Sequence, residues 1–134
     1  MSPTFRSRDV LLVRRISDRS AELRRGDIVI ADGPDGSGRY YLKRIVAMPG
    51  ERIELLDGLL FINDEHHHEA YLSGLPAYVG TESHSWSVDG DSYFLMGDNR
   101  AHSIDSRNYG PVTLEAIRGK VTQRLWPPGR WRRF

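Results

Sequence analysis

The sequence has 134 residues, which is enough for one ordinary domain with a hydrophobic core. Its 19 basic and 18 acidic residues give a net charge of +1, which excludes a protein that binds nucleic acid through a general excess of positive charge. Cysteine is absent, so disulfides, thiol catalysis and cysteine-ligated zinc sites are excluded as well.

Seven short runs predict β-strands along the chain. Each is rich in Val, Ile, Leu or aromatic residues and is bounded by residues that favour turns. The longest apolar runs are far shorter than the ~20 residues of a membrane-spanning helix. The predicted strands are Asp9–Ile16, Asp27–Ala31, Arg39–Ala47, Arg52–Leu56, Leu59–Asn63, Ser92–Met96 and Lys120–Trp126.

The connections between these runs are short. LDGL predicts a tight hairpin with Asp57 and Gly58 at its tip, and TLEAIRG (Thr113–Gly119) predicts a short helix. The polar stretch Asp64–Asp91 predicts an irregular excursion from the core. We therefore expect one domain, residues 1–134, of the all-β class with mainly antiparallel sheets and at most one short helix.

Two basic residues interrupt the most apolar of these strands, RYYLKRIVA. Successive side chains of a strand alternate between its faces, so Lys43 shares one face with Tyr41 and Arg44 shares the other with Leu42. One interpretation is that both basic side chains reach solvent at a sheet edge. The other is that Lys43 is partly desolvated, which would lower its pKa and make the neutral amine a general base.

A polar loop, GDNRAHSIDSRNYG, follows the apolar run YFLM. Ser103, Asp105 and Arg107 are spaced two apart, so an extended loop would turn all three side chains the same way. Asp105 and Arg107 could then pair, and Ser103 could hydrogen-bond to an amine. The loop is therefore a candidate shell around a catalytic lysine, with an ordinary solvated turn as the alternative.

The histidine run at residues 66–68 has acidic neighbours and is a candidate metal site. Adjacent histidines on an extended segment point apart, and no distant ligand pattern completes a site. We therefore expect a hydrated loop at this position, with no metal and no cofactor.

Four motifs, in the same order, resemble the signatures of bacterial type I signal peptidases, the Ser/Lys serine endopeptidase family. GDNRAHSIDSR matches the pattern G-D-N-R-x-x-S-x-D-S-R at every fixed position, and KRIVAMPGE matches the lysine signature K-R-[IV]-x-x-x-P-G-[DE]. RRGDIVIA resembles the R-G-D-[IV]-V segment, and MSPTF resembles the end of the serine signature, S-M-x-P-T-[LF]. One such motif would be weak evidence, but four in order are highly specific.

The resemblance implies a signal-peptidase and repressor-protease-like fold, and an enzyme that removes signal peptides from exported preproteins after small residues. It implies that Lys43 is the general base, that Ser103 orients the lysine amine and that Asp105 and Arg107 support the loop, while residues 98–100 are structural. The family acts at the outer face of the cell membrane, so the implied partners are signal peptides and the lipid surface. Without a membrane anchor, the chain as given is expected to be soluble. The residues expected to line the shallow substrate pockets are Met1, Phe5, Tyr41 and Leu42.

The serine signature departs from the family pattern at its first position. The family's nucleophilic serine directly precedes the Met of S-M-x-P-T, and that Met is Met1 here. Ser2 falls one residue late, and a slip by one residue turns a side chain to the other side of the chain. We therefore expect the chain as written to be inactive, and a serine placed before Met1 to complete the site.

Two other functions fit parts of the pattern. A β-domain could bind extended peptides by strand addition without hydrolysing them. A self-cleaving repressor-type protease would share the Ser/Lys chemistry but would need a DNA-binding domain, which this sequence does not contain.

The last eleven residues, RLWPPGRWRRF, combine aromatic and basic side chains. They predict either a frayed end with one Trp packed on the core or a segment at the membrane surface, where Trp and Arg are favoured.

Overall fold

The structure is a computed structural model that describes residues 1–16, 23–72, 74 and 82–134. The strands in these residues form two antiparallel sheets. The strands are β1 (Val10–Arg15), β2 (Ile28–Asp32), β3 (Tyr40–Ala47), β4 (Arg52–Leu56), β5 (Leu59–Ile62), β6 (Glu65–His66), β7 (His84–Ser87), β8 (Ser92–Met96), β9 (Val112–Thr113), β10 (Ile117–Trp126) and β11 (Arg132–Arg133).

The larger sheet has the order β1-β10-β2-β3-β8-β9, and β11 adds to β10. Each of the seven predicted runs overlaps one observed strand, so the predicted all-β, mainly antiparallel class is confirmed. The position of β3 decides the environment of its side chains. It lies inside the sheet, with hydrogen-bonded neighbours β2 and β8 on its two sides.

The smaller sheet has the order β6-β5-β4-β7. Its β4–β5 hairpin pairs Leu56 with Leu59 across a two-residue turn, as LDGL predicts. Asp57 and Gly58 both have positive φ angles, 49° and 78°, which is the conformation that a tight hairpin turn requires.

The helix predicted at Thr113–Gly119 is wrong. A 3-10 turn covers Leu114–Ala116, and β10 begins at Ile117, which pairs with Ala31 and buries its side chain. Burial of this apolar side chain against the sheet outweighs a helical preference that extends over only a few residues. The one α-helix in the described part of the chain is α1 (Ser106–Tyr109), inside the polar loop.

The segment predicted as an irregular excursion, Asp64–Asp91, contains β6, a 3-10 turn at Ala70–Leu72 and β7. Residues 73 and 75–81 of this segment lie outside the described residues. In β7, Trp86 packs its ring 5.0 Å from that of Phe94, and β7 extends the smaller sheet beside β4. This strand was not predicted because one apolar side chain in HSWS is too short a periodic signal.

The core explains why YFLM in β8 is apolar without alternation. Phe94 and Met96 face the cluster beneath the smaller sheet, whereas Tyr93 and Leu95 face a second cluster on the opposite side. All four side chains are at most 2% exposed. Full burial of one such large apolar side chain contributes about 1.5–3 kcal/mol. β8 and the second half of β3 therefore form a rigid centre, and the polar loop starts where β8 ends.

Candidate active site

Lys43 is buried on β3, with only 8% of its surface exposed. Lys43 pairs with Val29 of β2, one residue before the ladder between β3 and β8 begins at Arg44, and its low exposure shows that the side chain does not extend into solvent. The interpretation that Lys43 extends into water at an edge is therefore wrong. Desolvation of the ammonium by burial lowers the pKa of Lys43.

Ser103 is the direct partner of the buried amine. The Nζ atom of Lys43 donates a hydrogen bond to the Oγ atom of Ser103 across 2.8 Å, although 60 residues separate the two in sequence. The Ser103 hydroxyl is also hydrogen-bonded to Asp105, which helps lower the pKa of that carboxyl. Because the lysine amine uses an oxygen lone pair of Ser103, the hydroxyl proton is available to the Asp105 carboxylate.

This arrangement allows a neutral Lys43 amine to keep its orientation. A neutral amine has two N–H donors and one nitrogen lone pair. One N–H is used on Ser103, which leaves the lone pair free to accept a proton from another group. Ser103 thus orients the amine without consuming the part of it that a general base needs.

The charges of Asp105 and Arg107 act on Lys43 in opposite directions. Asp105 raises the pKa of Lys43 and Arg107 lowers it, and both effects are smaller than that of burial. Arg107 holds the carboxylate through Nε–Oδ1 and Nη2–Oδ2 hydrogen bonds of 2.8 and 2.9 Å. Burial opposes ionisation of Asp105, but the bonds and charge of Arg107, with the Gly97 N–H, hold its pKa below the ordinary value. The negative charge beside the amine is therefore largely neutralised.

The backbone of the loop differs from the extended conformation that the spacing suggested. Asp105 is the N-cap of α1, and Arg107 lies inside that helix rather than on an extended segment. Asp105 and Asn108 form a reciprocal capping box, with the Asn108 side chain accepting from the Asp105 N–H at 3.1 Å. An N-cap Asp followed by Asn three residues later was the available signal for this helix, and the sequence analysis missed it.

Ser106 is a further residue that the sequence analysis missed. Its side chain is fully buried, and its Oγ accepts a hydrogen bond of 2.9 Å from the N–H of Leu95 in β8. Gly97 donates its N–H to Asp105 across 2.9 Å. A side chain at Gly97 would overlap Ser103, so only glycine leaves room for the contact with Lys43. The loop is therefore tied to the end of β8 at two points.

Arg44, on the opposite face of β3, has a fully paired environment. Its Nε and Nη2 atoms bind the two carboxylate oxygens of Asp98 at 2.9 and 2.7 Å, and its Nη1 binds the carbonyl of Gly26 at 2.8 Å. Thr4 donates its hydroxyl to the same carboxylate of Asp98. This pair joins β3, the start of the polar loop and the N-terminal segment.

The N-terminal segment and the substrate-pocket candidates lie on one side of this site. Met1 and Leu42 pack on the small cluster that contains Phe5. Phe5 is only 5% exposed and stacks against Phe134 with ring centroids 5.0 Å apart, so it can form only the floor of a pocket. The ring centroid of Tyr41 is 5.7 Å from the Lys43 amine.

The Met1 amino group lies close enough to Lys43 for their charges to interact. Burial lowers the pKa of the Met1 amino group, the charge of Asp98 raises it, and the charge of Lys43 lowers it. Ser2, in contrast, is exposed. The backbone therefore brings the nitrogen of Met1, rather than the side chain of Ser2, to the buried side of the segment.

Comparison with known proteins agrees with this geometry. The family model for signal peptidase, peptidase S26, matches residues 1–126. Signal peptidase I V of Bacillus subtilis is 35% identical over 137 residues, covering 91% of this chain and 78% of that protein. A probable signal peptidase I-2 of Synechocystis is 33% identical and covers 97% of this chain, which spans 61% of that protein's length.

The architecture matches a solved member as well. The crystal structure of a signal peptidase I from Enterococcus faecalis V583 has a TM-score of 0.65 and 30% sequence identity, covering 75% of this chain and 97% of that one. The helices of the described residues include none that is long and apolar enough to cross a bilayer. The family resemblance drawn from the four motifs is confirmed, and the chain belongs to the signal peptidase family, peptidase S26.

Proposed function

We propose that this chain is the catalytic region of a Ser/Lys endopeptidase that removes signal peptides from exported preproteins after small residues. The observation that carries the proposal is the buried amine of Lys43, held 2.8 Å from Ser103 in a chain of this family. Burial disfavours the ammonium, and a lysine that is neutral near physiological pH can act as a general base.

Lys43 is the proton carrier in this mechanism. It takes the proton of a nucleophilic serine as the serine oxygen attacks the scissile carbonyl. It then gives that proton to the departing amine of the mature protein, which leaves an acyl-enzyme. Lys43 next accepts a proton from water as the water oxygen attacks the acyl carbon. It returns that proton to the departing serine oxygen, which releases the signal peptide with a free carboxylate.

The other three site residues serve this proton transfer. Ser103 keeps the lone pair of the Lys43 amine directed away from itself and toward the nucleophile. Asp105 accepts a hydrogen bond from the Ser103 hydroxyl and is held by Arg107, so the hydroxyl cannot rotate freely.

The nucleophile in our proposal is a serine joined to the nitrogen of Met1. That nitrogen lies within reach of the Lys43 charge, so the residue attached to it begins beside the base. A general base must lie about 2.6–3.2 Å from the oxygen that it deprotonates. To meet that distance, Ser2 would have to shift the segment by one residue, which would break the bond from Thr4 to Asp98.

The substrate pocket in our proposal is the apolar surface formed by Met1, Leu42 and Tyr41 above the buried ring of Phe5. Met1, Leu42 and Phe5 are part of a packed cluster, which limits the space for the substrate residue before the cleaved bond. A shallow apolar surface of this kind favours a small residue such as alanine.

A second surface supports membrane contact. Val10 and Leu12 of β1 are 51% and 45% exposed, and Val10 pairs with the exposed Trp126 of β10. Trp131 is also exposed, with the guanidinium of Arg133 5.8 Å from its ring centroid. Exposed Trp and Arg side chains together suit the headgroup region of a lipid bilayer. We propose that this surface rests on the outer face of the cell membrane.

Cleavage of a preprotein by three proteins tests the proposed activity. They are the chain as given, the chain extended upstream with Ser before Met1, and the extended chain with Ser2→Ala. We expect no cleavage, cleavage and cleavage. Cleavage by the unextended chain that Ser2→Ala abolishes would identify Ser2 as the nucleophile instead. Binding of the preprotein without cleavage by the extended chain would favour a non-catalytic peptide-binding domain.

A further inference from the structure

A buried ionic cluster joins the polar loop, through Arg100, to residues outside the four motifs. Glu69 is 8% exposed, and its two carboxylate oxygens each accept a 2.6 Å hydrogen bond from the guanidinium of Arg100. The hydroxyl of Tyr71 donates to the same carboxylate. Glu69 directly precedes the 3-10 turn Ala70–Leu72 and Tyr71 lies within it, in a segment that no catalytic motif covers. A chain does not bury a carboxylate at this position without a partner, because the desolvation cost is high.

Arg100 transmits this contact to the active site. Its Nε donates a 3.0 Å hydrogen bond to the carbonyl of Gly97, and the Gly97 N–H is held by Asp105. The two peptide groups that flank the Gly97 Cα are thus fixed on both sides. Ser103 packs directly against that Cα, in the space that a side chain would fill. The Ser103 hydroxyl is therefore positioned by Gly97, whose carbonyl is held by Arg100. The Arg100 guanidinium is in turn oriented by Glu69.

Tyr71 has a second contact, on the other side of the site. The guanidinium of Arg44 lies 4.0 Å from the centroid of the Tyr71 ring, at stacking distance. Arg44 is the residue that binds Asp98, to which the N-terminal segment is also attached through Thr4. Tyr71 thus touches both ion pairs, one of which supports the loop while the other supports the N-terminal segment.

We propose that Glu69 and Tyr71 are positioning residues for the amine of Lys43. They fix the relative position of the Ser103 loop and of the N-terminal segment, between which the amine lies. Well-paired buried charges such as these define geometry more than they add stability. The activity part of this inference rests on the proposed function, whereas the part that concerns the Lys43 amine does not.

The test uses Glu69→Gln and Tyr71→Phe, each in the protein extended with Ser before Met1. Glu69→Gln removes the charge at nearly constant shape, and Tyr71→Phe removes only the hydroxyl. Glu65→Gln is the matched control, because Glu65 is an exposed carboxylate in the same segment. The readouts are kcat and KM for a preprotein, and the pKa of Lys43 from the NMR titration of 13C-labelled lysine. The chain has only two lysines, so the signals are simple to assign.

We expect Glu69→Gln to lower kcat at least about tenfold with KM little changed, because small displacements of catalytic groups are costly. Tyr71→Phe should lower kcat less. In both variants the Lys43 pKa should rise toward its ordinary value of ~10.4, because a displaced loop admits water to the amine. In the extended protein, where Met1 has no free amino group, the charges that act on Lys43 are those of Asp105 and Arg107. Loss of the Glu69 charge therefore does not itself explain such a rise.

Each outcome decides the proposal. An unchanged Lys43 titration in both folded variants overturns it, even if kcat falls. If Glu69→Gln does not fold, Tyr71→Phe alone decides, because it keeps the carboxylate and the ring. If the extended parent does not cleave a preprotein, the proposed function fails. The Lys43 titrations of the parent and the variants still support or overturn the positioning role in that case.

Discussion

The two adjacent basic residues of β3, Lys43 and Arg44, lie on opposite faces of the strand and have different partners. The Arg44 guanidinium donates hydrogen bonds to both carboxylate oxygens of Asp98 and to a backbone carbonyl, so its charge is compensated in the interior. Lys43 is similarly buried, but its amine donates to the hydroxyl of Ser103. The carboxylate that acts on it, Asp105, is already bound to Arg107. The difference shows that burial alone does not create a base. Burial without a dedicated counter-charge lowers the lysine pKa, whereas burial with one produces a structural ion pair.

The largest effect on activity should come from replacing Lys43 by the same residue type as its neighbour Arg44. Lys43→Arg in the extended protein keeps a cation but removes a usable base, because a guanidinium is not deprotonated in proteins. We expect kcat/KM to fall at least about 10³-fold, measured by preprotein cleavage. Lys120→Arg is the control, since Lys120 of β10 forms an ion pair with Asp27 that a guanidinium can also form. Turnover by Lys43→Arg close to that of the control would remove Lys43 from the mechanism.

The next effect concerns stability on the Arg44 face. Arg44→Met leaves the fully buried carboxylate of Asp98 without its partner, which should cost about 3–5 kcal/mol of unfolding free energy. The double variant Arg44→Met/Asp98→Leu should be less destabilised than the single one, because both charges are gone. Urea denaturation measures both. Arg39→Met is the control, because Arg39 lies in an exposed ion pair with Asp35 whose loss should cost little stability. A double variant less stable than the single one would contradict this account.

Ser103→Ala should have a smaller effect than Lys43→Arg. It removes the group that orients the amine but leaves the base in place, so we expect kcat to fall about tenfold to a hundredfold.

The activity of the parent should rise with pH through the Lys43 pKa, because only the neutral amine accepts a proton. Loss of the partner opens the amine to water, and the rising limb of the pH profile should then move to higher pH. An unchanged kcat in Ser103→Ala would show that the hydroxyl has no orienting role.

The smallest effect should come from a region remote from both faces of β3. Changing Trp131, Arg132 and Arg133 to Ala should reduce co-sedimentation of the chain with anionic lipid vesicles severalfold, because headgroup contacts of basic residues contribute about 1 kcal/mol each. The cleavage of a short peptide free in solution should be unaltered in the extended protein. Equal sedimentation of the variant and the parent would count against the membrane surface.

The sequence alone predicted the strands and the hairpin well because turn residues and apolar runs are local signals. It could not place Lys43 in the centre of the sheet, since strand order depends on contacts between distant segments. The pairing of Lys43 with Ser103, 60 residues apart, was one of two open interpretations of the residue types, and only the family resemblance made it a specific expectation. Spacing suggested an extended loop at Asp105, where capping of a short helix prevails. Glu69 had no signal at all, because a carboxylate in a polar stretch looks the same whether it is exposed or buried.

The most direct test of the account is the pKa of Lys43 in the chain as given. In Lys120→Arg protein labelled with 13C at the lysine Cε, Lys43 contributes the only lysine signal. Because burial disfavours the ammonium, the folded chain releases the Lys43 proton at lower pH than the unfolded chain does. The unfolding free energy should therefore rise with pH between the folded pKa and ~10.4, and Lys43→Met should lack this rise. The account predicts a titration midpoint below ~10.4 in the folded chain and a return to that value in urea. A folded midpoint at or above ~10.4 would contradict it.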